Sequence, residues 1–594
     1  MQVTSTLPNP PIAGARPLRS GLERLTFEHA LWAAMCGLAL LARAWMLDTT
    51  PLNSAEAGAA NAALAVARGG SATLLNPLHG GLQAALFALL GANEFSARLV
   101  AAIAGAALCL TPMAFRDQLG RRAALIMASL MIFSPTLWYV ARLADGATLA
   151  WAIAMLAWAM LRRGRASGLA AGLGLLVASG IDGAIPLIFL GAIALVTRPA
   201  GLRDLLSARS GLVAFASLTL GATTGLWNLS GMGDALQGLA SFVAGILRAG
   251  LLPYWRAMLG FGLYESLVIA GALVELIRWQ VHTAIERRFG PEGAAPEENT
   301  AGHRDWLVVV VAGLAIVLLD QSRDVHHLIP LTLACAALTA MLADRILGAL
   351  AREGEWAREG VVAGLSLVFL FATAIGVRQY AGQGDTKWLL LAIVAIFIVA
   401  AGGIALSLRM SGAAVARGIA IAAWVILSVG TFGAGFSLTQ SHAANPNEPY
   451  VTESIAVEAK ALQGAIEQVA VQAYGDKTVM PIDVHDSAPS WLRWLLRDQK
   501  FVSFAARPAS VAAAMLPETL AFNSEYSYVS NSLDVTQRNG LGSVRCKQVA
   551  DRQDCQAVAR WLVLRDAGPP FVSRWTLYVR QDIAQRASGQ TWQK

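Results

Sequence analysis

From about His29 to Phe436, apolar runs of roughly 15 to 22 residues alternate with short polar or arginine-rich breaks, the spacing that bilayer-spanning helices require. The pattern predicts thirteen spans, near 30–47, 94–115, 123–140, 146–161, 166–180, 183–197, 211–229, 261–279, 305–320, 326–343, 361–378, 387–408 and 418–438. Two breaks are too long to be simple connections. The first, 48–93, carries helix-like stretches at Ala55–Arg68 and Gly80–Leu90 around the turn-rich Gly69–His79. The second, from about Ser230 to Gly260, ends in Pro253-Tyr254-Trp255 and reads as an amphipathic piece at the membrane interface.

The pattern divides the chain into a polar N-terminal segment, 1–28, a transmembrane region, 29–439, and a polar tail, 440–594. In the tail, Thr478–Val484, Lys500–Phe504 and Trp575–Arg580 read as strands and Ser490–Arg497 as a helix, which predicts a small α/β domain. Segment 1–28 has no pattern of a cleavable signal peptide and is expected to stay in the cytoplasm.

Composition supports this division. Of 594 residues 56% are hydrophobic and 14% charged, against about 25% charged in a soluble domain. Arginines gather on alternate breaks: Arg116, Arg121 and Arg122; Arg162, Arg163 and Arg165; Arg198, Arg203 and Arg209; Arg287, Arg288 and Arg304; Arg345, Arg352 and Arg358; Arg409 and Arg417. The positive-inside bias then places these breaks in the cytoplasm, and an odd span count places the tail outside, on the periplasmic or extracytoplasmic side of a bacterial inner membrane. Topology and anionic lipid account for the net charge of +7, which excludes nucleic acid as a partner. Cys36, Cys109 and Cys335 lie in apolar runs; Cys546 and Cys555 suit a disulfide, with two free thiols as the alternative.

Acids at span mouths are the first candidates for chemistry, because a carboxylate there is costly unless used or solvated. Glu56 opens a loop helix behind Ser54 as N-cap; its alternative role is to favour the helix N-terminus. Asp145 sits where one span turns into the next, and its alternative is a turn cap. His79 stands beside Gly80 and Gly81. Glu265 follows Tyr264 at a span mouth, where snorkelling explains it equally well, as it does Arg43 and Arg98 near span ends. Asp182, between two short spans, reads as a loop acid. Trp491 and Trp494 fit a tail core or a docking face better than sugar stacking.

An acid-bearing first loop, the His79-Gly80 turn, the run G-x-x-E-x-x-A-R-L from Gly91 to Leu99 and LGRRAALIMASLMIFSPTLWYVARLAD from Leu119 to Asp145 together resemble GT-C glycosyltransferases of the dolichyl-phosphate-mannose protein mannosyltransferase type. Pro253–Ser266, Asp324–Leu338 and Pro489–Asp498 resemble a flippase-associated subgroup. The resemblance implies a GT-C-like bundle and an enzyme moving a sugar from a polyprenyl-phosphate donor to a lipid, glycan or protein acceptor on the outer face, with inversion. It assigns catalysis to Glu56 and Asp145. The departing lipid phosphate calls for cationic groups, for which Arg142 is a candidate with Arg323 and His326 or His327, and His79 and Glu265 are further candidates for donor or phosphate binding. Relatives carry an Asp-Glu pair where this chain has Ala55-Glu56. Either Glu56 serves as base alone, or the chain is a non-catalytic scaffold or flippase-associated protein for cell-envelope glycan assembly. A divalent metal ion assists some relatives; Glu56, Asp145 and His79 show no recognisable ligand spacing, which leaves the metal open. A transporter would show mid-membrane ionisable residues and inverted repeats, and neither is clear.

Overall fold

The computed structural model describes residues 27–197, 204–247, 254–289, 300–319, 325–354, 356–451, 453–456, 458–508, 512–522, 524–538, 552–566 and 570–587. Arg323, Cys546 and the side chain of Cys555 lie outside these residues, and so therefore do the donor role expected of Arg323 and the expected disulfide.

Helix α1 (Phe27–Ala44) leads to two loop helices, α2 (Ser54–Ala67) and α3 (Pro77–Leu90). Asn53 caps α2 and closes a capping box with Glu56; Asn76 caps α3, whose first residue is proline. The bundle continues with α4 (Glu94–Leu110), α5 (Arg116–Leu119), α6 (Arg121–Phe133), α7 (Pro135–Val140), α8 (Ala147–Arg162), α9 (Ala166–Ala178), α10 (Gly180–Thr197), α11 (Ala208–Ala222), α12 (Gly231–Leu247), α13 (Tyr254–Tyr264), α14 (Ser266–Phe289), α15 (Thr300–Leu319), α16 (Ile329–Glu353), α17 (Trp356–Gln383), α18 (Thr386–Ser407) and α19 (Gly412–Phe436).

All thirteen expected spans are helical, and among the described residues seven helices are long and apolar enough to cross a membrane. The chain is thus a polytopic helical membrane bundle. Three spans differ in detail from the sequence reading. Pro135 cannot continue α6, so 123–140 is two helices hinged at Ser134, whose side chain caps α7. Span 211–229 stops at Ala222, before Thr224 and Leu226, whose φ values of 51° and 75° no helix accepts. Span 261–279 is interrupted at Glu265, between α13 and α14.

Helices α9 and α11 pack so closely that a Cβ on Gly174 would stand 2.2 Å from the Ala214 carbonyl oxygen. Gly174→Ala is therefore expected to cost about 1–3 kcal/mol through backbone displacement, read as a lower thermal midpoint in detergent.

The tail holds α20 (Glu458–Tyr474), α21 (Ser490–Leu495), α22 (Arg552–Leu564) and α23 (Gln581–Ala587) against β1 (Glu453–Ile455), β2 (Ile482–His485), β3 (Val502–Ala505), β4 (Ala513–Pro517), β5 (Tyr528–Arg538) and β6 (Phe571–Arg580). The six-stranded sheet runs β1-β5-β6-β4-β2-β3, with β2 parallel to β3 and β4 and the other pairs antiparallel. Its buried cluster does not end at the tail. Ala57, Ala60 and Leu64 of α2 and Phe87 of α3 belong to the same core as Trp491, Trp494, Met515 and Leu577.

Polar contacts fasten this shared layer. The Asn61 Nδ2 donates to the Ser490 carbonyl at 2.9 Å and the Trp494 indole to Glu94 at 3.2 Å. The Trp494 ring stands 5.7 Å from Phe87 and the Arg497 Nε donates to the Ala92 carbonyl at 3.1 Å. Trp491 and Trp494 are thus both core and docking surface. A second anchor roots the tail in the bundle: buried Glu448 accepts from Arg565 at 2.9 Å and from the Tyr264 hydroxyl.

Candidate active site

The capping box at the start of α2 turns Glu56 inward, where it is 5% exposed. Its Oε1 accepts from Arg98 Nε at 2.8 Å and from the Ala144 amide at 2.9 Å; its Oε2 accepts from Arg98 Nη2 at 2.9 Å and from the Asn53 amide at 3.0 Å. The remaining donors of Arg98 reach the carbonyls of Leu47, Thr50 and Pro51 at 3.0, 2.8 and 3.2 Å. Arg98 therefore does not snorkel as expected from its place near a span end. It is the centre of a clasp joining α2, α4, the α1–α2 connection and the turn before Asp145. Both Glu56 oxygens are occupied, and the geometry expresses the helix-terminus role rather than a free base. Arg43 does not snorkel either: it is fully buried, with Nη2 donating to the Met131 carbonyl at 3.2 Å.

Arg142 donates to the carbonyls of Arg43 at 3.2 Å, Trp45 at 2.6 Å and Met46 at 2.8 Å. These are the orphan acceptors beyond the end of α1, a position that favours a cation. Burial, with the neighbouring Arg98 charge, lowers its pKa to about 10, so it remains charged at neutral pH. Glu56, Arg98, Tyr139, Arg142 and Glu453 line a cavity of about 50 Å³, room for a few water molecules.

Asp145 lies beside this clasp on the turn between α7 and α8. Its Oδ1 accepts from the Ala147 amide at 3.1 Å, the cap anticipated as the alternative, and its Oδ2 meets His326 Nε2 at 2.7 Å. The side chains are 23% and 16% exposed, so the pair is reachable, unlike Glu56. His327 shares the short turn Val325–Leu328 that delivers His326 at the start of α16.

His79 is buried on α3, with no partner for Nε2 among the described residues. Burial lowers its pKa to about 4 against the opposing field of Asp145. The unfolded imidazole takes a proton near 6.5, so His79 favours folding fully above that value and progressively less as pH falls toward 4. His79→Gln is expected to remove about 2 kcal/mol of acid sensitivity at pH 5, measured as the difference in thermal midpoint between pH 7 and pH 5.

The structure thus gathers Glu56, Asp145 and His326 in one region, with His79 in the field of Asp145 and Arg142 on the same small cavity as Glu56. Asn76 joins them: its Nδ2 donates to Asp182 at 2.6 Å, and a Cβ on Gly146 would stand 1.9 Å from that same nitrogen. Asp182 is thereby more than a loop acid. Glu265 is fully buried and does not snorkel to the interface. Its Oε1 accepts from the Ser134 hydroxyl at 2.5 Å and the Thr136 amide at 2.9 Å, at the α6–α7 hinge.

Sequence reasoning missed Arg98 as the partner of Glu56 and the pairing of Asp145 with His326. The signal for the first was an arginine one turn into an apolar helix; for the second none existed. Among the described residues no three His, Cys, Asp or Glu side chains stand close enough to hold a metal ion.

No protein-family model matches the sequence, and no curated protein matches it. Among the solved structures similar to this chain are two of one protein. The crystal structure of ArnT from Cupriavidus metallidurans bound to undecaprenyl phosphate is 16% identical with a TM-score of 0.48, the match covering 82% of this chain and 93% of that one. The apo structure of the same protein is 18% identical with a TM-score of 0.46, covering 80% and 85%.

Proposed function

We propose that the chain is a membrane glycosyltransferase that passes a sugar from a polyprenyl-phosphate donor to a lipid, glycan or protein acceptor on the outer face of a bacterial inner membrane. The observation that carries this reading is the Asp145–His326 contact of 2.7 Å in a partly exposed position. Glycosyl transfer needs a group that accepts the acceptor's proton while the anomeric carbon–phosphate bond breaks. An imidazole oriented by a carboxylate supplies it: Asp145 fixes the ring and stabilises the imidazolium, and His326 takes the hydroxyl proton. The departing polyprenyl phosphate carries away the bond's electron pair, and the nearby Arg142 charge favours that anion.

Orientation rests on the arginine-rich breaks, which put 1–28 and the inner loops in the cytoplasm and the tail outside. One observation favours a second reading, a scaffold for envelope-glycan assembly: the acid expected to act as base is fully consumed by Arg98, Asn53 and Ala144.

The test is transfer by the purified full-length chain with a panel of polyprenyl-phosphate sugars. Activity in the wild type that is lost in Asp145→Asn and His326→Ala supports the enzyme. A folded wild type inert toward every donor supports the scaffold.

A further inference from the structure

A crevice of about 740 Å³ runs between α6, α14, α16 and α19, within the size range of small-molecule sites. Its wall is almost wholly apolar and includes Phe133, Val268, Leu347 and Trp424. The polar side chains on it are Glu265, Thr431, Ser129 and Ser428.

Two of these are anomalous. Glu265 is fully buried, and although its Oε1 accepts two hydrogen bonds, its Oε2 has no partner among the described residues. The Thr431 hydroxyl on the same crevice is also buried without one. A buried polar group left unmatched is destabilising, so native structures rarely keep one without a reason. A carboxyl oxygen takes a hydrogen bond, and an apolar channel takes a chain.

We propose that this crevice binds an amphiphile with a long aliphatic chain and a non-anionic, hydrogen-bond-donating head group, a hydroxyl or an amine, held by Glu265. A phosphate head is excluded because it offers acceptors where the unpartnered Glu265 carboxyl oxygen takes a donor. The site is separate from the Asp145–His326 pair and does not depend on the transferase reading.

The experiment uses delipidated full-length protein in detergent, incubated with hexadecanol, hexadecylamine or hexadecyl phosphate, with bound amphiphile counted by native mass spectrometry. Retention of the alcohol, the amine or both, with hexadecyl phosphate excluded, is the expected result; the alcohol alone identifies a neutral carboxyl and the amine alone a carboxylate. Glu265→Leu should weaken retention about tenfold or more, and Ala343→Trp, which fills the crevice on the α16 wall, should abolish it. If Glu265→Leu does not fold, Thr431→Val and Ala343→Trp provide the comparison. Hexadecyl phosphate bound as well as the alcohol, no retention of either non-anionic probe, or retention unaffected by Ala343→Trp overturns the proposal.

Discussion

Replacing Arg98 by methionine is expected to destabilise the folded chain by about 3–5 kcal/mol, because it leaves the Glu56 carboxylate buried and uncompensated. The change also removes donors from the carbonyls of Leu47, Thr50 and Pro51, the stretch that leads from α1 to α2. Glu56→Gln should lower stability by a comparable amount, since the amide cannot accept from Asn53, Ala144 and both Arg98 nitrogens together. The double variant should be clearly less unstable than the sum of the two, the mark of a coupled pair. Thermal unfolding in detergent measures all three. A Glu56→Gln protein with an unchanged midpoint and no transfer would restore Glu56 as the base.

His326→Ala should lower sugar transfer about 10²–10⁴-fold, the usual contribution of a positioned general base, with little change in thermal midpoint because the ring is partly exposed. Asp145→Asn should fall in the same range, since an amide neither fixes the imidazole tautomer nor stabilises the charge that forms on it. The two losses should not add, because each variant removes the same dyad. Multiplicative losses would mean that Asp145 and His326 act separately.

The sequence announced what local periodicity encodes. The apolar runs, the two loop helices and the strands of the tail at 482–485, 502–505 and 571–580 follow from patterns a few residues long. Strand β4, Ala513–Pro517, is different: it is alanine-rich and owes its place to pairing with β2 and β6. The site was legible only as a set of candidate types. Glu56 and Arg98 are 42 positions apart and Asp145 and His326 are 181, so no local pattern could join them. Nor could composition reveal that small alanines on α2 face tryptophans of α21, since each side reads as an ordinary amphipathic helix.

That shared core also imposes an order on biosynthesis. The contact between Glu94 and Trp494 joins residues 400 positions apart, which at 5–20 residues per second are made roughly 20–80 s apart. During that interval the faces of α2 and α3 that meet the tail have emerged without their partner. The loop that carries Glu56 thus waits through most of the chain's translation for the domain that covers it, and a ribosome that stops before residue 490 leaves an anchored bundle with part of its apolar core uncovered, a natural substrate for membrane proteases.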